Sequence, residues 1–292
     1  MDGRRATDEI EPGSEPAPPA RSRSPGGTDS THAVAPVQRR SDDTGGPAGD
    51  AGAPPGRTLR IASYNIHSCI GTDGGFDPER VLAVLRELRA DVVGLQEVDS
   101  RSGRTGTDQF AYLVRATGME AIQGPVVSDQ DGGHYGNALL TRLPLLEART
   151  VELNQPGREP RGAIVARLDA GGGRRLRVVN AHLGLRAAER SRQVARLLEI
   201  VDDGADPDGP TVFLGDFNEW FPFSRRLRDI RRRFAPAPGL ATFPSFLPVL
   251  ALDRIWCSPG LSFTRVVAHR SALARRASDH LPIVADLRFM AG

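Results

Sequence analysis
The chain has 292 residues, 39% hydrophobic and 25% charged, and its 38 basic residues, all arginine, nearly balance 36 acidic ones to leave a formal charge of +2. That composition is ordinary for a soluble globular protein and gives no strong net field for nucleic acid or membrane. No run of about 18 apolar residues offers a transmembrane helix, no apolar core with a cleavage pattern marks a secretory signal, and two cysteines make no disulfide framework, so the expectation is a cytoplasmic monomer with no stable membrane anchor.

In chain order, residues 1–57 come first. They are rich in Pro, Gly, Ser, Ala, Asp and Arg and nearly devoid of large apolar side chains. Such a segment cannot bury enough surface to offset its ordering entropy, and a disordered N-terminal tail is expected. From residue 58 to 292 the texture is that of a folded domain. "LRIASYN" (59–65) reads as a strand. "PERVLAVLRELR" (78–89) reads as a helix, with Pro78 at its start and Val81, Leu82, Val84, Leu85 and Leu88 at helical spacing. "DVVGLQEV" (91–98) is the next strand and 108–118 a helix closed by Gly118. Strands follow at 136–142, 161–168 and 175–183, then a helix over 185–201. Strands at 211–217, 250–257, 262–269 and 281–289 complete the series. Helices alternate with strands early and strands dominate late, which suggests a mixed α/β domain with sheet at its centre.

Polar groups recur at the ends of these strands. They are Asn65, Glu97, Asn180 with His182, Asp216 with Asn218, Asp253, and the "SDH" of Ser278, Asp279 and His280. A carboxylate moved from water to a strand end costs several kcal/mol unless it is paired or bound to a cation. Each alone has a plain alternative. "GDFN" (215–218) can be an Asx-type turn, "SDH" a cap before a strand, and a lone histidine a satisfied structural one. Six together invite a common site.

The ordered set "SYN" (63–65), "LQEV" (95–98), "NAHL" (180–183), "GDFN" (215–218), "LDRI" (252–255) and "SDH" (278–280) resembles the endonuclease/exonuclease/phosphatase superfamily over about residues 59–289. The resemblance implies two packed mixed β-sheets, a sandwich flanked by helices on both outer faces, four layers in all, with the site at one edge. It implies Glu97, Asn65 and Asp279 at a Mg²⁺ ion, with Mn²⁺ as a substitute. It implies Asp216 as the residue that orients or deprotonates the attacking water and Asn218 as its positioning neighbour. It implies His280 on the scissile phosphate with Asp253 behind it, and His182 as a second phosphate contact. The chemistry favours these types independently. A phosphodiester repels nucleophiles, so its cleavage needs charge neutralisation and in-line positioning, and Mg²⁺ takes hard oxygen ligands.

The substrate is less legible. "FSRRLRDIRRRF" (223–234) could neutralise the phosphates of DNA or RNA, or be the solvated face of a helix in an arginine-biased chain. Stretches such as "HYGNALLTRLPL" and "EPRGAIVARL" resemble a compact bacterial branch of the superfamily. There Asn137 and Arg161 fall at positions facing substrate, although Arg161 could equally serve a structural ion pair. A nuclease, a phospholipid-headgroup or small-molecule phosphodiesterase, and a catalytically silent binding module all stand as alternatives. "GLATFPSFLPVLALD" (239–253) is expected to pack as a loop on the core, with a pocket wall or a membrane contact as the other options.

Overall fold
The computed structural model describes residues 58–101, 103, 106–203 and 209–290, together with the backbone of 31–33. The expected disordered tail lies outside the described residues except at Thr31–Ala33, a short strand, β1, that pairs antiparallel with an edge of the domain.

The remaining strands are β2 (Leu59–Asn65), β3 (Val92–Asp99), β4 (Glu120–Ser128), β5 (His134–Thr141), β6 (Leu145–Glu152), β7 (Gly162–Gly171), β8 (Arg174–His182), β9 (Thr211–Asp216), β10 (Ala235–Pro236), β11 (Asp253–Cys257), β12 (Leu261–Ala268) and β13 (Ile283–Phe289). The helices are α1 (Pro78–Leu88), α2 (Gln109–Thr117), α3 (Ala187–Asp203), α4 (Arg225–Arg231) and the single turn α5 (Ala274–Ala277). One sheet runs β1-β6-β7-β8-β9-β11-β10 and the other β12-β13-β2-β3-β5-β4. Both are mixed, since β8 with β9 and β2 with β3 are parallel and the other pairs antiparallel.

Side-chain alternation along the strands explains the layers. In β2, Leu59 and Ile61 face the opposing sheet, whereas Ala62 and Tyr64 face α1 and α2. In β9, Val212 and Leu214 face inward, and Phe213 faces α3 and α4. Three apolar layers result: α1 and α2 on one sheet, the two sheets on each other, and α3 and α4 on the second sheet. This is the four-layer sandwich that the sequence motifs imply.

Local chemistry sets the helix ends. Asp77 caps α1 by accepting from the Arg80 amide, with Pro78 at the first helical position. Asp108 caps α2, and Gly118 closes it at φ 62°. The five apolar side chains of α1 are buried, each contributing roughly 1.5–3 kcal/mol. Strands β4 and β6 are absent from the sequence-based reading. β4 contains Gly124 and Pro125, residues that argue against a strand, but it is the edge of its sheet, where a missing N–H is tolerated. β6 shows no clean alternation, since Ala148 and Val151 are its two buried residues.

Candidate active site
Strand ends from both sheets meet at one edge of the sandwich. β8 and β9 run parallel and finish side by side, pairing His182 with Asp216. β11 runs the other way and begins there, pairing Asp253 with Asp216. In the second sheet β2 finishes at Asn65, and the segment entering the antiparallel β13 brings Ser278–His280 back to it, the Ser278 hydroxyl donating to the Asn65 carbonyl at 2.8 Å.

Two of the polar residues hold a left-handed backbone that side chains rarely adopt. Glu97 has φ 58° and Asn218 φ 48°. Such conformations cost of order 1–3 kcal/mol and cluster at functional sites. Glu97 sits where the β3–β5 register slips between Leu95 and Val98, and a bulge of that kind re-aims a side chain. Asn218 closes the turn after Asp216, its N–H donating to Asp216 Oδ1 at 2.9 Å. "GDFN" is therefore an Asx-type turn and part of the cluster at once. Gly215, at φ 144°, is required beneath it, because a Cβ there would lie 1.8 Å from the Ala181 carbonyl oxygen.

The assembled geometry centres on Asp216. With Oδ1 held by Asn218, Oδ2 faces Asn65 Nδ2 at 3.1 Å, His182 Nε2 at 3.6 Å and His280 Nε2 at 3.7 Å. The same Asn65 Nδ2 donates to Glu97 Oε1 at 2.9 Å, and the His67 N–H donates to Asn65 Oδ1 at 3.0 Å, which fixes the amide's orientation. Behind His280, Nδ1 meets Asp253 Oδ2 at 2.8 Å, and the Thr242 hydroxyl donates to that oxygen at 2.6 Å. The Phe243 ring lies 4.9 Å from the imidazole.

The two histidines are driven apart electrostatically. Burial works against a charge on His280, but the carboxylates of Asp253, Asp216 and Asp279 outweigh it and hold its pKa up at about 10. Burial dominates at His182, where Arg161 and His280 add to it against Asp216, and its pKa falls to about 3. His280 is thus the cationic member and His182 the neutral one. His182 Nε2 lies 3.2 Å from Asn218 Nδ2, an amide donor that also reaches the Leu183 carbonyl at 2.9 Å.

The donor set fits a hard divalent cation on the Glu97 side. Burial first, then the charges of Asp216 and Asp279, push the Glu97 carboxyl above its ordinary range, against the Asn65 hydrogen bond and His67. Carboxylates so placed want a cation, and a bound ion would reverse the shift. Asp216, Asp253 and His280 also place ligand atoms within 4.8 Å of one another. In that trio, however, Asp253 is engaged by His280 Nδ1 and Thr242, an arrangement that orients an imidazolium.

Asn137 and Arg161 lie further out. Asn137, on β5 opposite the Glu97 bulge, is buried and donates to the Gly162 carbonyl at 2.8 Å. Arg161 pairs with Glu159 at 2.8 Å yet keeps a buried Nε without a partner among the described residues, close enough to His182 to depress its pKa. It also lines a cavity of about 370 Å³ between β4, β6 and the start of β7, which none of Glu97, Asp216 and His280 lines. Asn180 is buried between the sheets, donating to the carbonyls of Leu95 and Ala138 and accepting from Gln96 Nε2 at 2.7 Å. Sequence reasoning missed Thr242, a lone hydroxyl in an apolar loop with no telling spacing. It also missed Glu219, buried next to Asn218 and paired with Arg226 at 2.5 Å and Arg190 at 3.5 Å.

The Endonuclease/Exonuclease/phosphatase family model matches residues 62–280. The protein YbhP of Escherichia coli (strain K12) is 30% identical over 254 residues, 79% of this chain and 96% of YbhP. The crystal structure of an endonuclease/exonuclease/phosphatase from Beutenbergia cavernae DSM 12333 superposes with a TM-score of 0.66 at 25% identity, covering 80% of this chain and 72% of that one. The human nocturnin catalytic domain with bound sulfate shares the fold at a TM-score of 0.64 and 22% identity, covering 80% and 95%. The strand-end cluster and these similarities agree: the chain belongs to the endonuclease/exonuclease/phosphatase family, whose members are hydrolases acting on phosphoester bonds.

Proposed function
We propose that this protein is a Mg²⁺-dependent phosphodiesterase that hydrolyses its substrate with a water positioned by Asp216. The observation that carries the proposal is the convergence on one carboxylate oxygen, Asp216 Oδ2, of Asn65, His182 and His280 from both sheets, with Glu97 on the same Asn65 amide. Glu97, with Asp279 and Asp216 nearby, would hold the ion, and Asn65 fixes Glu97 in place. When bound, Mg²⁺ supplies charge neutralisation at a phosphoryl oxygen and at the leaving alkoxide.

The chain's own residues do the rest. Asp216 Oδ1 accepts from the Asn218 N–H and Oδ2 from the Asn65 amide, and Oδ2, which also faces both histidines, is the oxygen placed to take a proton from water. His280, held by Asp253 through Nδ1, presents Nε2–H as a cationic donor to a phosphate oxygen. His182 and Asn218 supply neutral polar contacts, and the unpartnered Nε of Arg161 fits an outer phosphate oxygen.

A small or lipid phosphodiester is better supported than nucleic acid. Three of the six arginines of 223–234 are already held in ion pairs, Arg226 on Glu219, Arg232 on Asp229 and Arg233 on Asp202, which halves the charge the segment offers a polyanion. The free, buried thiols of Cys69 and Cys257 fit the reducing cytoplasm expected from the sequence.

The test is a panel of bis-p-nitrophenyl phosphate, phospholipids, plasmid DNA, RNA and an abasic duplex, each with Mg²⁺ or Mn²⁺. Hydrolysis of the generic diester or of a lipid, lost with chelator and in Glu97→Ala, is expected. DNA nicking lost in the same two controls would make the protein a nuclease. Silence on every substrate, with no metal binding, would make it a binding module.

A further inference from the structure
Most of the exposed large apolar side chains lie on three loops, and each loop also carries part of the site. Leu185 follows His182 closely. Trp220, Phe221 and Phe223 follow Asn218, and Phe223 is 88% exposed. Phe246, Leu247 and Val249 occupy the loop between Thr242 and Asp253, which the sequence led us to expect packed on the core. Scattered exposed apolar residues need no explanation, but a concentration around one mouth does.

These tips are held out by their anchors. The Phe246 loop is closed by hydrogen bonds between the backbones of Phe243 and Leu250. It is tied down by Ser245, whose N–H donates to the Asp279 carbonyl and whose hydroxyl donates to the Ser278 carbonyl. Arg275 donates to the carbonyls of Ser245 and Phe246. On the second loop, Arg190 lies over the Trp220 ring at 5.1 Å, while Arg190 and Arg226 clamp the buried Glu219.

The charge carried by these loop tips themselves is positive. The segment 183–188 carries Arg186 and no acid, and 220–228 carries no acid and leaves Arg225 and Arg228 exposed, Arg226 being engaged by Glu219. The segment 239–252 has no charged residue at all, and Arg276, exposed beside it, lies 3.5 Å from Asp73. Apolar tips interspersed with guanidinium groups match the boundary of an anionic bilayer, where rings sit among the acyl chains and cations meet the headgroups. Tryptophan in particular favours that boundary.

We propose that this rim docks on the surface of an anionic phospholipid bilayer, so that the site opens toward lipid phosphodiester headgroups. The docking is independent of catalysis. The choice of substrate it implies rests on the phosphodiesterase function proposed above.

Vesicle co-sedimentation of the full chain tests it. Zwitterionic phosphatidylcholine vesicles are compared with vesicles containing about a third phosphatidylglycerol. Binding is expected only to the anionic vesicles, weakening as salt rises. The triple variant Phe223→Ser, Phe246→Ser, Leu247→Ser should bind at least tenfold more weakly, with turnover of soluble bis-p-nitrophenyl phosphate unchanged. The chain has two tryptophans, and Trp256 is already buried, so a blue shift of emission on adding anionic vesicles reports Trp220 entering the interface. Glu97→Ala should still bind vesicles, which separates failure of the surface from failure of the chemistry. Sedimentation equal in wild type and triple variant, or no binding to either vesicle, would overturn the proposal. A protein partner held by the wild type and lost by the triple variant, without vesicle binding, would overturn it in favour of a protein interface.

Discussion
His280 shows how one side chain acquires its role from its neighbours. Asp253 is the largest of the charges that raise its pKa, against the lowering effect of burial. Removing that charge lowers the pKa, with Asp216 and Asp279 still opposing burial, so Asp253→Asn should move the alkaline limb of the kcat profile to lower pH, read from rates between about pH 6 and 10. Thr242→Val keeps the charge but loses the hydroxyl on Asp253, and a loss of less than tenfold without a moved limb is expected. Asp216→Ala and His280→Ala should each lower kcat at least a hundredfold while the circular dichroism of the purified protein stays native. The residue types at these positions were readable from six short motifs. Thr242 and Glu219 were not, because a single hydroxyl or carboxylate carries no periodicity, and its meaning lies in what folding places beside it.

At the scale of elements, the bulge in β3 and the turn after β9 hold the machinery in strained backbone. Glu97→Gly removes both the left-handed strain and the buried carboxylate, so the variant should be about 0.5–1 kcal/mol more stable in urea and inactive with Mg²⁺. Gly215→Ala should do the reverse. A methyl group driven onto the Ala181 carbonyl costs about 3 kcal/mol or more, seen as a lower urea midpoint or loss of soluble protein. Strand and helix periodicity revealed α1, α2, α3 and the central strands because their apolar faces repeat. It concealed β4, where Pro125 suits only an edge, and the register slip opposite Asn137, which depends on a partner strand that the local sequence does not name.

For the whole molecule, the sandwich must stay closed for both halves of the site to meet. Within one of its sheets, Arg60 in β2 grips its direct cross-strand partner Asp286 in β13 through two hydrogen bonds, at 2.7 and 3.0 Å, and that side-chain bond is the main cause of the lowered Asp286 pKa. A depressed carboxylate stabilises above its unfolded pKa and loses that contribution as pH falls through the folded value. The stability gap between wild type and Asp286→Asn should therefore be constant above about pH 5 and shrink below about pH 4, measured by urea titration. Chelation should abolish turnover and leave far-UV circular dichroism unchanged, with Mg²⁺ or Mn²⁺ restoring the rate, because apolar layers, not the ion, hold the fold.

The Asn65 amide stitches a carboxylate of one sheet to a carboxylate of the other. The proposed catalytic centre is thus a seam, and a seam feels slippage first. Mild denaturant that lets the sheets creep past each other should silence the proposed activity while the helices still absorb circularly polarised light as before.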